Sequence, residues 1–217
     1  MTLLLFPFQA ELQGFLGGEG GLQEKVISGF KTFTIDAHPN WTLAICSQGK
    51  VEAALTTAIL GEALRPSRVF LIGSATALVS NLNPGDIVAG MESLEIDFGD
   101  VGVGKMPRHK ATWEQPSRLG QKIISGRILS ADADVFDPGE KKRLGEEYQA
   151  QACAWEGAGF YRALKKIGLR GLELRVITES VSESRIAFPE LKSRIQAHFP
   201  RLRREMEAWE ADLSNIG

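Results

Sequence analysis

The sequence is short of the residues that build metal centres and disulfide frameworks. It has two cysteines and three histidines in 217 residues. Cys46 and Cys153 lie on apolar segments, which reads as two free core thiols in a reducing compartment rather than a bridge. His38, His109 and His198 are scattered, and no ligand spacing links them to the cysteines, so a metal site is not expected. No apolar run approaches transmembrane length. Met1 to Phe8 is apolar but lacks a basic start and a cleavage site, so it reads as a first strand and not a signal peptide. The formal net charge of −2 leaves no basic surface for nucleic acid. Arg201, Arg203 and Arg204 alternate with acidic residues, as on a solvated helix face. Internal repeats, linkers and low-complexity segments are missing, and the expectation is one cytoplasmic domain over residues 1–217.

Two nucleotide-binding signatures are also missing. No G-x-G-x-x-G follows a strand. Gly99 to Lys105 spells most of a P-loop, but Met106 replaces the magnesium-binding hydroxyl and Pro107 stands where a helix should start. Residues 97–121 therefore read as a long surface loop.

What is present is an alternation of strands and helices. Strand-like runs occur at Leu3–Phe8, Phe33–Ile35, Thr42–Ser47, Val69–Ile72, Ile87–Ala89, Ile128–Ser130 and Leu174–Thr178. Lys50–Leu64 is helical, with an apolar stripe at Val51, Ala54, Leu55, Ala58, Ile59 and Ala63. Gly139–Ile167 reads as one or two helices, with Gly157 and Gly159 packed close to something. Phe188–Leu213 reads as helices broken at Pro200. The pattern predicts an α/β layer fold, and the hairpin-like early spacing predicts a mixed sheet.

The chemistry concentrates at strand ends. Val69–Ile72 runs into Gly73-Ser74-Ala75-Thr76-Ala77, small residues that let a ligand approach backbone amides. Asn83-Pro84-Gly85-Asp86 is a turn before the next strand. Three carboxylates could reach the same sheet edge: Glu11 after the first strand, Glu156 among small residues, and Glu179 ending a strand. Together they could supply a base, a hydroxyl-binding group and an acid. Taken singly, each reads more often as a surface or capping residue.

In order along the chain, these stretches resemble the nucleoside phosphorylase/nucleosidase superfamily, and most closely 5′-methylthioadenosine/S-adenosylhomocysteine nucleosidase-like proteins. Ser47-Gln48-Gly49-Lys50-Val51 with Ala53-Ala54-Leu55 is similar to the family's G-x-G-K-V-x-A-A segment. Gly73-Ser74-Ala75 and Gly85-Asp86-Ile87-Val88 are similar to its G-S-A-G-G and G-D-I-V-V pair. Ser130-Ala131-Asp132, Trp155-Glu156 and Arg175-Val176-Ile177-Thr178-Glu179 resemble S-G-D, the end of E-M-E, and R-x-I-S-D. The resemblance implies a three-layer α/β/α fold whose mixed, twisted sheet curls into a partial barrel. It implies hydrolysis of the N-glycosidic bond of a purine-type nucleoside, without a cofactor, by a homodimer.

The resemblance also assigns roles. Glu11 would activate water, with Ser74 and Arg175 positioning it. Glu156 would bind a ribose hydroxyl, and Glu179 would protonate the base. Gln48, Ala75, Asp134, Val135, Phe136 and Trp155 would line the substrate site. Phe188 would face the 5′ substituent, and Phe98 would reach into the partner's pocket. Four departures stand out. The family acid is Asp, and here Glu179 adds a methylene. Asp134 replaces an aromatic residue that stacks on the base, with Phe136 two residues on. Thr76 and Ala77 replace glycines, where a β-carbon could narrow the base site. The segment between Asp86 and Phe98 is short, and Ala154 stands where the first Glu of E-M-E would be. Two further readings stay open: a phosphate-dependent phosphorylase, and a non-catalytic nucleoside binder. Leu71 stands where phosphorylases carry a phosphate-binding Arg, so an anion site would need Arg108, His109 or Arg118.

Overall fold

The computed structural model describes residues 1–97, 107–113 and 123–214. In chain order the elements are β1 (Thr2–Phe6), α1 (Gln9–Leu16), β2 (Leu22–Ile27), β3 (Phe30–Ile35), β4 (His38–Ile45), α2 (Lys50–Leu64), β5 (Arg68–Ala77), β6 (Ile87–Glu95), β7 (Arg108–Lys110), β8 (Ile123–Ser130), α3 (Pro138–Tyr148), β9 (Ala152–Ala154), α4 (Gly157–Ile167), β10 (Gly171–Glu179) and α5 (Phe188–Ser214).

Buried strands sort their side chains by the two-residue period. Leu4, Phe6, Phe70 and Ile72 enter one apolar cluster, shared with Phe15 of α1 and Phe199 of α5. Leu3, Leu5, Val69 and Leu71 enter a second cluster, with Leu60 of α2 and Phe160 of α4. One sheet thus lies between two helical layers. The sheet is mixed: β1 runs parallel to β4 and β5, and β5 parallel to β10, whereas β2, β3 and β4 form an antiparallel meander. The strand order is β10-β6-β8-β9-β5-β1-β4-β3-β2, and β10 also pairs with β5. That extra ladder closes β5, β10, β6, β8 and β9 into a ring, a small barrel at one end of an open sheet. Its cluster mixes alanines (Ala75, Ala77, Ala152 and Ala154) with Val88, Ile128 and Ile177.

The structure differs from the sequence expectations at five places. β2 is almost wholly exposed and rich in charge, so it carries no apolar alternation. β9 has three residues, too few to stand out between helical patterns. Part of the expected loop at 97–121 is β7, which pairs with β6 through Ser93 and His109; the P-loop-like stretch lies outside the described residues. The stripe expected to bury α2 faces the wrong way. Val51 is 73% and Leu55 47% exposed, while Ala53, Thr56, Thr57, Leu60 and Gly61 are buried. Small residues win that face because α2 approaches α4 closely: a β-carbon on Gly159 would overlap the Lys50 backbone. Lastly, α5 runs unbroken through Pro200. Ile195 and Phe199 before it, and Leu202, Met206 and Trp209 after it, all join one cluster, and that burial offsets the lost hydrogen bond.

Candidate active site

A cavity of about 430 Å³ opens where β1, β4, β5 and β10 end. Glu11 sits in its floor and is 1% exposed. It is in the first turn of α1, and its Oε2 accepts the Phe8 backbone N–H at 3.0 Å, a capping bond. Its Oε1 accepts the Ser74 N–H at 2.6 Å and the Ser74 hydroxyl at 2.7 Å. Burial pushes the Glu11 carboxyl up to about 7, against the pull of the two Ser74 hydrogen bonds and of Arg175.

Arg175 lies at the centre and is 1% exposed. Its Nη2 donates to Glu156 Oε2 at 2.9 Å and its Nε to Glu173 Oε1 at 2.7 Å. Its Nη1 reaches the Ser74 carbonyl at 3.4 Å. A β-carbon at Gly73 would overlap that Nη1. The glycine expected to admit a ligand to the backbone therefore admits Arg175 instead. Glu156 Oε1 accepts the Gly49 N–H at 3.2 Å, which ties the carboxylate to the N-terminus of α2. Gly49 has φ +90°, a conformation that favours glycine. Ser130 holds the turn that carries Glu156, donating to the Trp155 carbonyl at 2.6 Å and accepting the Ala158 N–H at 3.2 Å.

At the other end of the cavity, Glu179 Oε2 accepts the Thr76 hydroxyl at 2.6 Å. The Thr76 side chain expected to narrow the site is thus a partner for the longer acid. Lys141, fully buried on α3, brings its ammonium to 3.4 Å from the same oxygen and donates to the Glu183 carbonyl at 2.8 Å. Asp134, Val135 and Phe136 line the cavity together, and the Arg185 guanidinium lies 4.7 Å over the Phe136 ring. Gln48, Ala75, Trp155 and the exposed Phe188 also line it. Phe98 lies outside the described residues.

Sequence reasoning missed Glu173, Lys141 and Arg185. Glu173 did leave a signal. Glu173 and Arg175 alternate within an apolar strand, so both must face the same side. The residues proposed for a phosphate site lie elsewhere: Arg108 and His109 line a second cavity with Lys110 and Arg127, and Arg118 is outside the described residues. Burial pushes the Cys153 thiol up to about 12 and raises that of Cys46, so neither is poised as a nucleophile. Among the described residues no group of His, Cys, Asp and Glu could hold a metal ion. Nor is any described helix long and apolar enough to cross a membrane.

Comparison with known proteins concerns the family and the fold. The family model for the phosphorylase superfamily matches residues 10–198. A 5′-methylthioadenosine/S-adenosylhomocysteine nucleosidase of Shewanella sp. (strain MR-7) is 28% identical over 151 residues, which is 62% of this chain and 64% of the relative. The same-named protein of Geobacillus sp. (strain WCH70) is 25% identical over 69% of this chain and 72% of its own length. Among solved structures, futalosine hydrolase of Helicobacter pylori superposes with a TM-score of 0.82 at 20% identity, covering 97% of both chains. The nucleosidase of Campylobacter jejuni gives 0.77 at 17% identity, covering 95% of this chain and 98% of that one. These superpositions establish the shared fold.

Proposed function

The chain belongs to the phosphorylase superfamily, and on that premise we propose that it hydrolyses the N-glycosidic bond of a purine-type nucleoside. The observation that carries the proposal is the buried cluster of Glu11, Ser74, Arg175 and Glu156 at the floor of the cavity. Cleavage of a base from ribose passes through a cation-like sugar, as in glycoside hydrolysis. The cluster offers that cation two buried carboxylates, Glu11 and Glu156, against one guanidinium.

The roles follow from position. Glu11, with its carboxyl near 7, takes the proton from water. Ser74 and Arg175 fix its orientation. Glu156, held by Arg175 and Gly49, accepts a hydrogen bond from a ribose hydroxyl. Glu179 meets the base with Oε1, because Oε2 is taken by Thr76 and Lys141. Phe136 and the exposed Phe188 supply apolar contact to the base and the 5′ substituent. Water is favoured over phosphate because Arg175 is already engaged by carboxylates and Leu71 is buried in an apolar cluster. The proposal extends to one domain, acting in the cytoplasm as a homodimer. Exposed Val51 and Leu55 on α2 offer apolar surface to a second copy, and the family resemblance alone implies a place for Phe98 in the partner's pocket.

The test is a nucleoside panel with and without phosphate, with free base read by chromatography. It includes 5′-methylthioadenosine, S-adenosylhomocysteine and futalosine, after the names of the relatives. Base release without phosphate is expected. Release only with phosphate would make the protein a phosphorylase, and binding without release would leave it a binder.

A further inference from the structure

Glu173 is the one carboxylate of the cluster that the mechanism above leaves unused. It is fully buried on β10, two residues before Arg175, and both side chains face α4. Its Oε1 takes the Arg175 Nε–H at 2.7 Å. Its backbone N–H donates at 2.8 Å to the Tyr161 hydroxyl, which donates to the Gly90 carbonyl. Its Oε2 has no hydrogen-bond partner among the described residues, and neither does Ser93 Oγ. Both atoms lie against Gly157, where a β-carbon would overlap the carboxylate.

The charges around it do not cancel. Glu11, Glu156 and Glu173 are each at most 3% exposed, and Arg175 is the cation they share. Tyr161 on α4, Cys153 on β9 and Cys46 after β4 also face the cluster. Burial raises all three, so they stay neutral. Burying a surplus carboxylate is costly, and Arg175 would be paired by Glu156 without it.

We propose that Glu173 is a positioning residue whose negative charge serves the cationic sugar: it clamps Arg175 through Nε and offsets the guanidinium charge that Arg175 also shares with Glu156, so the cluster keeps a net negative field. The inference rests on the base–ribose reading above and adds a residue to it. Burial raises the Glu173 carboxyl, and the Arg175 guanidinium bonded to it at 2.7 Å opposes that shift and favours the charged form.

The test compares two probes by calorimetry. One is a ribose-shaped pyrrolidine, protonated at neutral pH; the other is its ring-oxygen counterpart, which is neutral. The parent should prefer the cation. Glu173→Gln keeps shape and acceptor but removes the charge. It should weaken cation binding at least tenfold, change neutral binding less than twofold, and leave the melting temperature equal or higher. Glu173→Asp keeps the charge and should keep the preference; it decides the matter if the Gln variant does not fold. Retained preference in the Gln variant, or equal weakening of both probes with a lower melting temperature, would overturn the proposal. A parent that releases base yet shows no cation preference sinks this inference alone. A parent that neither releases base nor binds either probe sinks the base–ribose reading, and this one with it.

Discussion

Glu11 answers to two demands at once. One oxygen caps α1 and the other holds Ser74, yet the carboxyl is buried enough to titrate near 7 rather than at its ordinary 4.5. The folded protein therefore binds this proton more tightly than the unfolded chain. The stability it contributes is present below the unfolded value and is lost as pH rises through the folded one. A shift of this size corresponds to about 3 kcal/mol. Urea unfolding of the parent should lose about that much more stability than Glu11→Gln between acid and mildly alkaline pH. A gap between the two that does not change with pH would mean that Glu11 titrates normally. Glu11→Gln should also lower turnover by about a hundredfold or more. Glu11, Ser74, Glu156 and Arg175 could be read from motifs because each sits at a fixed offset from a strand end. Lys141 could not. It stands in the charged run Glu140-Lys141-Lys142-Arg143, and only Glu179 and the carbonyls of Ser180 and Glu183, about forty residues on, make it a buried donor. The link between Thr76 and Glu179 was equally hidden, since two departures from a pattern look independent until they touch.

Elements were easiest to read where burial and period agree. Lys50–Leu64 matches α2 residue for residue, because its helix formers and N-terminal Gly49 are local signals. Which face it buries is not local. Gly159 removes a side chain from α4, α2 moves in, and alanine and threonine become the core residues while Val51 and Leu55 turn outward. Gly159→Ala should therefore cost about 1–3 kcal/mol by overpacking, read as a lower urea midpoint with an unchanged slope. An unchanged midpoint would mean that the two helices part freely. Pro200 misled for a related reason. Proline weighs against a helix interior, but the apolar spacing on either side of it continues in step, and α5 stays whole.

At the scale of the molecule, the mixed sheet could be expected from alternating elements and early hairpin spacing. Ring closure was legible only through the family resemblance and its partial barrel, not from local patterns, because the ladder between β5 and β10 joins residues about a hundred positions apart. Closure predicts a gradient of protection. Amides of β5, β6, β8 and β10 should exchange by global unfolding, and those of β2, the exposed strand at the open end of the order, by local opening. Hydrogen exchange read by mass spectrometry checks this, and β2 amides as slow as those of β10 would contradict it. The ring also divides the site into a part that resists change and a part that invites it. Ser74, Arg175 and Glu179 ride on strands laddered to neighbours on both sides, so displacing one strains the others. Asp134–Phe136 and Arg185–Ala187 sit on connections that no ladder constrains. A mutant library confined to those two connections would explore new leaving groups and sugar substituents while the reacting groups hold their places. Descendants of this chain would diversify by the same open route.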